Sequence, residues 1–117
     1  MSRLISLNVH SALEIALGTA IMAAPFVFGL GTAALVTGFV VGVAIMGLGI
    51  ASTGGGRGSI PVSAHAAYDG GIALGLIGAG LVLGIAGDLG ALALLVGAGL
   101  VQTLLTASTR YSVPANA

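Results

Sequence analysis

Charge is almost absent from this chain, and this scarcity constrains its fold more than any other feature. Three basic and three acidic residues are the only formally charged side chains among 117 residues. A water-soluble domain covers its surface largely with charged residues, which make up about 25% of an average sequence. Apolar residues make up 57% of this chain. The solvent for most of its surface is therefore predicted to be lipid.

Four apolar stretches have the length of about 20 residues that a membrane-spanning helix needs. They run over residues 10–29, 33–52, 64–86 and 88–108. Asn8 and Ser63 are candidate N-caps of the first and third helices, and Asp88 lies at the start of the fourth, where a carboxylate offsets the helix dipole. The first stretch exceeds the core of 7–15 residues that a secretory signal peptide has. We predict an all-α integral membrane four-helix bundle, with residues 1–117 as a single membrane domain.

The second half of the chain repeats the layout of the first at a spacing of 55 residues, without a gap. His10 and Glu14 correspond to His65 and Asp69. Repeat 1 covers residues 8–53 and repeat 2 covers residues 63–109, and a polar, glycine-rich link over 52–62 joins them. Each repeat contains two helices, so both insert the same way up. We therefore predict two tandem transmembrane hairpins related by a pseudo-two-fold axis along the membrane normal.

The arginines predict the orientation. Arg3, Arg57 and Arg110 precede the first helix, lie in the link and follow the last helix, so all three fall on one side of the membrane. The two short turns contain no Lys or Arg. By the positive-inside rule, both termini and the link face the cytoplasm, and the protein is a multi-pass protein of the inner (plasma) membrane.

Small residues at a spacing of four form a stripe along every helix. Such stripes let helices approach closely in lipid, where hydrophobicity does not drive association. They are either a dimerisation face or a packing surface inside the bundle, and we favour the second interpretation. The positions predicted to pack are Ala16, Ala20, Gly38, Gly42, Gly71, Gly75, Ala93 and Gly97.

Each histidine is followed four residues later by a carboxylate, which places the pair on one side of its helix. Glu14 lies about 9 Å along the axis from Asn8, at the cytoplasmic edge of the hydrocarbon, and Gln102 lies at a similar depth. The sequence thus predicts a polar layer of His10, Glu14, His65, Asp69 and Gln102.

Three interpretations of this layer are open. The favoured one is structural, because a histidine and an acid near a helix N-terminus can satisfy each other and complement the dipole. In the second, the carboxylates carry protons in a transporter. In the third, two histidines and two carboxylates bind a divalent ion. The third requires the repeats to converge, which the spacing does not demand, so we predict no metal and no cofactor.

The stretch GTAIMAAPFVFG at 18–29 resembles the motif of the SPW-repeat family of small bacterial membrane proteins. That motif has a glycine, then a proline seven residues later within Ser-Pro-Trp, then a short apolar run to a glycine. Ala24-Pro25-Phe26 stands here in place of Ser-Pro-Trp, and Ala79-Gly80-Leu81 occupies the equivalent place in repeat 2. The resemblance implies two-helix membrane repeats and no established biochemical activity.

A second resemblance surrounds Glu14. The segment LEIALGT at 13–19 is similar to small multidrug transporters, which have four helices and an essential glutamate in the first. Those proteins lack a parallel two-hairpin repeat. They also carry aromatic residues around the substrate, whereas this chain has no Trp and few aromatic residues.

No sequence motif indicates an enzyme. The glycines at 54–56 lack the lysine of a phosphate-binding loop, and no nucleophile–base pair is evident. The absence of a basic run excludes nucleic acid as a partner. We predict a small non-enzymatic membrane protein, structural or accessory, whose partners are the lipid bilayer and either copies of itself or a larger membrane complex. The alternative is a small proton-coupled transporter or channel that uses Glu14 and Asp69.

Overall fold

The computed structural model describes residues 4–52 and 60–112, which form four α-helices. These are α1 (Leu7–Val27), α2 (Thr32–Ala51), α3 (Val62–Ile85) and α4 (Leu89–Ser108). Each helix is long and apolar enough to cross a membrane. The predicted all-α fold of four such helices is therefore confirmed. Arg3, Arg57 and most of the glycine-rich link lie outside the described residues.

The helix starts differ from the prediction in two places. The Ser6 side chain accepts a hydrogen bond of 3.3 Å from the Val9 N–H and caps α1, and Pro61 is the residue before α3. The predicted N-caps Asn8 and Ser63 are therefore wrong, because each helix has already begun there. A serine hydroxyl caps as well as an asparagine amide, and the fixed φ of proline favours helix entry. Asp88 caps α4 by accepting from the Ala91 N–H at 2.9 Å, as predicted for a carboxylate at that end.

The two short turns reverse the chain in the same way. Gly29 has a φ of 63° and Gly87 a φ of 100°, both in the left-handed region that favours glycine. The following residue in each turn donates back into the helix, from Leu30 to the Pro25 carbonyl at 2.8 Å and from Asp88 to the Leu83 carbonyl at 2.9 Å. Tight hairpins α1–α2 and α3–α4 result.

Within the first hairpin the helices approach backbone to backbone. A Cβ added to Gly18 would lie 2.5 Å from the carbonyl oxygen of Gly42, and one added to Gly42 would lie 2.7 Å from the carbonyl oxygen of Gly18. The second hairpin has a similar contact, since a Cβ on Gly99 would lie 3.1 Å from the Ala73 carbonyl oxygen. Close approach at glycine brings whole helix backbones into van der Waals contact, which drives helix association in lipid.

The hairpins pack against each other through α2 with α3 and α4, and through α1 with α4. The backbones of α1 and α3 lie further apart than those of the other helix pairs, and polar side chains fill the space between them. Below that polar region the core is apolar and fully buried, centred on Ile21, Ile45, Leu76 and Leu95. At the polar end, the Ile5 N–H donates to the Ser108 carbonyl at 2.9 Å, which joins the start of one hairpin to the end of the other.

The internal repeat contains a shift that the sequence comparison missed. The buried positions of α1 recur in α3 at a spacing of 55: His10, Glu14, Gly18, Ile21 and Pro25 match His65, Asp69, Ala73, Leu76 and Gly80. Those of α2 recur in α4 at a spacing of 57: Ala34, Gly38, Gly42, Ile45 and Leu48 match Ala91, Leu95, Gly99, Gln102 and Leu105. The gapless repeat is therefore wrong for the second helix of each pair. Helix α3 is three residues longer than α1, and the turn after it is one residue shorter.

This shift also changes which small residues pack. Gly38 and Gly42 lie buried between α1 and α2. The prediction of packing inside the bundle does not hold for the other six positions, which are exposed: Ala16, Ala20, Gly71, Gly75, Ala93 and Gly97. On α4 the two-residue shift turns the predicted stripe outwards. On α1 and α3 the face that turns inwards is the one that carries the histidines and carboxylates.

Candidate functional site: a buried histidine–carboxylate cluster

All five residues of the predicted polar layer come together at one end of the bundle. We call His10, Glu14, His65, Asp69 and Gln102 the polar cluster. Each of the five has an exposed fraction of 0%. Helix α1 and helix α3 each supply one histidine and one carboxylate from their N-terminal halves, and α4 supplies the glutamine from its C-terminal half. Each hairpin thus contributes half of the histidine–carboxylate set.

Both histidines contact both carboxylates through Nε2. His10 Nε2 lies 3.1 Å from Glu14 Oε1 on its own helix and 2.9 Å from Asp69 Oδ2 on the other hairpin. His65 Nε2 lies 3.1 Å from Asp69 Oδ2 on its own helix and 2.9 Å from Glu14 Oε2 on the other hairpin. The contacts between hairpins are therefore as close as the contacts within a helix.

The second nitrogen of each ring is held by a hydroxyl from the opposite hairpin. His10 Nδ1 lies 2.7 Å from the Thr109 hydroxyl, which follows α4. His65 Nδ1 is hydrogen-bonded to the Ser52 hydroxyl, which follows α2. Both rings are thereby fixed with Nε2 directed at the carboxylates.

The Thr109 hydroxyl also determines where His10 carries a proton. It donates its single hydrogen to the Leu105 carbonyl oxygen, at 2.5 Å. Its oxygen must therefore accept from His10, so Nδ1 of His10 is protonated. In a neutral His10 the lone pair then lies on Nε2, directed at Glu14 and Asp69.

Gln102 connects the two carboxylates. Its Nε2 donates to Glu14 Oε1 and to Asp69 Oδ1, at 3.3 Å each. Its Oε1 is buried and has no hydrogen-bond partner among the described residues. At the corresponding position, helix α2 has the apolar Ile45, so Gln102 is the one member of the cluster without a polar counterpart in the other repeat.

Tyr111 closes the cluster from the segment after α4. Its hydroxyl donates to Asp69 Oδ2 at 2.6 Å, and its ring stacks edge-on against His10 with centroids 5.2 Å apart. Burial raises the pKa of the Tyr111 hydroxyl, and the hydrogen bond to Asp69 acts in the same direction. The tyrosine therefore stays a neutral hydrogen-bond donor at physiological pH.

The electrostatics of the cluster demand two positive charges. Two carboxylates buried away from water are strongly unfavourable unless they are paired. The two imidazoles can supply the charge by binding a second proton each, or they can stay neutral around a divalent cation. Either arrangement gives a cluster without net charge. The hydrogen bonds at Nδ1 fit both, whereas the contacts of 2.9–3.1 Å between Nε2 and the carboxylates are hydrogen bonds only where Nε2 is protonated.

Sequence reasoning did not assign Ser52, Thr109 and Tyr111 to the polar layer. Ser52 and Thr109 are 57 residues apart, the spacing that relates α2 to α4, so a comparison that allowed a two-residue shift would have paired them. Tyr111 has no counterpart at that spacing. Its participation depends on how the chain turns back after α4, which no sequence pattern indicated.

A comparison of the chain with protein-family models, with curated proteins and with solved structures finds no match.

Proposed function

We propose that the chain is a small non-enzymatic integral membrane protein with a structural or accessory role, which packs with itself or with a larger membrane complex. One observation carries the proposal: the histidines and carboxylates face inwards and contact one another, with no exposed fraction. The large side chains that face outwards along the helices are predominantly apolar, such as Val36, Val40, Leu74 and Leu104. A protein built in this way acts through contacts within the bilayer.

The exposed small residues support association. A Cβ added at Gly71, Gly75 or Gly97 would meet no atom within 4 Å, so these backbones are open to another helix. On α1, the positions that correspond to Gly71 and Gly75 are Ala16 and Ala20, and both are exposed. Because these residues do not pack inside the bundle, their exposure favours the interpretation of the stripes as a dimerisation face. Small residues on a lipid-facing surface permit the close helix contacts on which association in membranes depends.

We further propose that both hairpins span the inner (plasma) membrane the same way up, with both termini and the link in the cytoplasm. The arginine distribution supports this orientation. A pseudo-two-fold axis along the membrane normal is supported by the paired distances in the cluster, 3.1 Å twice within helices and 2.9 Å twice between hairpins. The resemblance of residues 18–29 to the SPW repeat agrees with this arrangement.

Native mass determination after extraction in mild detergent tests the association. We expect a reproducible oligomer or complex, which the paired substitution Gly71→Leu and Gly75→Leu dissociates by filling the open surface. Gly47→Leu is the matched control, because Gly47 is also a helical glycine with open space at its Cβ and lies outside these stripes. A monomer without partners, together with a measurable proton-coupled flux, would contradict the proposal.

A transporter that uses Glu14 and Asp69 is the second candidate, favoured by one observation. Tyr111 is partly exposed at the end of the bundle and its hydroxyl contacts Asp69 at 2.6 Å, which gives a proton a route into the cluster. Transport requires that Glu14→Gln and Asp69→Asn abolish flux in liposomes while Asp88→Asn, at the opposite end, retains it. No flux from the unaltered chain would exclude this candidate. The apolar core around Ile21 and Leu76 argues against a polar path across the bundle.

A further inference from the structure

We propose that the polar cluster binds one first-row divalent metal ion, with Zn²⁺ as the candidate, through His10, Glu14, His65 and Asp69. The spacing of the two repeats does not require them to converge, so the sequence alone predicts no metal. The structure brings the two halves of the donor set together in one buried place. The inference rests on the proposed function in one respect, since it takes the two hairpins to form a bundle in the membrane.

The donor atoms already have nearly the spacing of a metal site. One ligand atom from each of the four residues can be chosen so that all lie within 4.8 Å of one another. The four nitrogen–oxygen distances are 2.9–3.1 Å. Ligands bound at 2.0–2.2 Å to a tetrahedral Zn²⁺ lie about 3.3–3.6 Å apart. The four nitrogen–oxygen pairs would therefore separate by a few tenths of an ångström, and any ligand pair near the 4.8 Å limit would move closer by about 1 Å.

The hydroxyls behind the rings prepare the histidines as ligands. A metal-binding histidine commonly donates its other ring N–H to an oxygen, which fixes the ring and its tautomer. Thr109 imposes this arrangement on His10, since its oxygen accepts from Nδ1 and its hydrogen is used by Leu105. The lone pair of neutral His10 then points at two carboxylates, where a cation would be bound by all three groups.

Gln102 supplies an independent observation. Its side chain is fully buried beside the carboxylates, and Oε1 has no partner among the described residues. A buried amide oxygen without a donor is unfavourable. A cation in the cluster would supply positive potential to this oxygen, while the Nε2 group orients Glu14 and Asp69 from outside the ligand set.

The donor types select the class of ion. Two carboxylates balance the charge of a divalent cation, and the two imidazoles stay neutral. Calcium and magnesium prefer oxygen ligands throughout, and copper(I) prefers sulfur, which the chain does not offer as cysteine. Four protein ligands without exposure to solvent are typical of a structural site rather than a catalytic one. The ion would fasten the two hairpins, because each supplies two ligands.

Metal counting on the full chain tests the proposal. The protein is purified in detergent, stripped with a chelator, dialysed against Zn²⁺ and desalted, and bound zinc is measured per chain. We expect one ion. Asp69→Asn and Glu14→Gln should lose it, and Thr109→Val should bind about 10–100-fold more weakly, as expected for a residue that orients a ligand. Asp88→Asn is the control and should bind like the unaltered chain, because Asp88 lies at the other end.

Cobalt(II) provides a readout that does not depend on the variants folding. A tetrahedral site with two nitrogen and two oxygen ligands gives cobalt intense visible d–d bands, and zinc should displace them. A monodisperse unaltered chain that retains no zinc, or gives only the weak bands of octahedral cobalt, would overturn the proposal. Equal loss of zinc in Asp88→Asn and Asp69→Asn would also overturn it. A partnerless monomer that binds one zinc would support the metal site and contradict the proposed association.

Discussion

At the scale of single residues, the buried hydroxyls are as informative as the charged groups. Histidine and carboxylate can pair in many ways, but Thr109 fixes one nitrogen of His10 and so determines what the other presents. The hydroxyl sits at the end of α4, and the histidine at the start of α1, so this hydrogen bond also joins the two hairpins. The orientation of the cluster therefore depends on side chains that carry no charge.

Replacing Thr109 with valine should destabilise the bundle. The change keeps the shape of the side chain but leaves the Nδ1 proton of His10 buried without an acceptor, which costs about 1–3 kcal/mol. Thermal unfolding in detergent, followed by circular dichroism, measures the loss. Thr103→Val is the control, because its hydroxyl donates to the Gly99 carbonyl within the same helix and at a less buried position. We expect a change within about 0.5 kcal/mol there. Equal losses in the two variants would contradict the role given to Thr109.

At the scale of helices, glycine has two different uses in this chain. At Gly18 and Gly42 it lets two backbones meet, and at Gly97 it leaves open space. The sequence does not distinguish Gly42 from Gly97, because each follows a small residue at a spacing of four. Burial alone separates them.

The pair Gly42→Ala and Gly97→Ala tests this difference. A Cβ on Gly42 would lie 2.7 Å from the Gly18 carbonyl oxygen, and such overpacking costs about 1–3 kcal/mol. On Gly97 the methyl group meets no neighbour, so the better helix propensity of alanine should add roughly 0.5–1 kcal/mol. Unfolding by heat or by sodium dodecyl sulfate reports both. If the two changes have the same sign and size, the assigned register of α2 and α4 is wrong.

Sequence reasoning predicted the four helices well because hydrophobic length is a local property that needs no knowledge of packing. It also predicted that His10 and Asp69 lie in the same layer, because few positions in an apolar bundle can accommodate polar residues. It failed where the outcome depends on helix rotation. The extra length of α3 moves α4 by two residues relative to α2, and this reversed the assignment of Ala93 and Gly97. Because of the same shift, the comparison at a spacing of 55 did not pair Ser52 with Thr109.

At the scale of the whole molecule, the arrangement of the hairpins places the start of α1, the start of α3 and the end of α4 at the cluster end. The two glycine turns lie together at the opposite end. If both hairpins insert the same way up, the cluster end and the glycine turns therefore face different compartments.

Single-cysteine labelling tests this topology, because the chain contains no cysteine of its own. We expect Ile60→Cys and Ser112→Cys to react with an impermeant maleimide from one side of the membrane, and Phe28→Cys and Ala86→Cys from the other. The cytoplasmic side should be the side of residues 60 and 112. Reaction of these two positions from opposite sides would show that the hairpins are not inserted in parallel.

A distance measured in lipid bilayers tests whether the two hairpins converge on one cluster. The chain contains two histidines, and Glu14 is its single glutamate. Solid-state NMR on a sample with ¹⁵N-labelled histidine and ¹³C-labelled glutamate carboxyl therefore reports only these groups. Glu14 oxygens lie 3.1 Å from His10 Nε2 and 2.9 Å from His65 Nε2, so both ring nitrogens should show strong dipolar coupling to the single labelled carboxyl. Coupling to His10 alone, which a separate α1 would give, would show that the two hairpins do not converge.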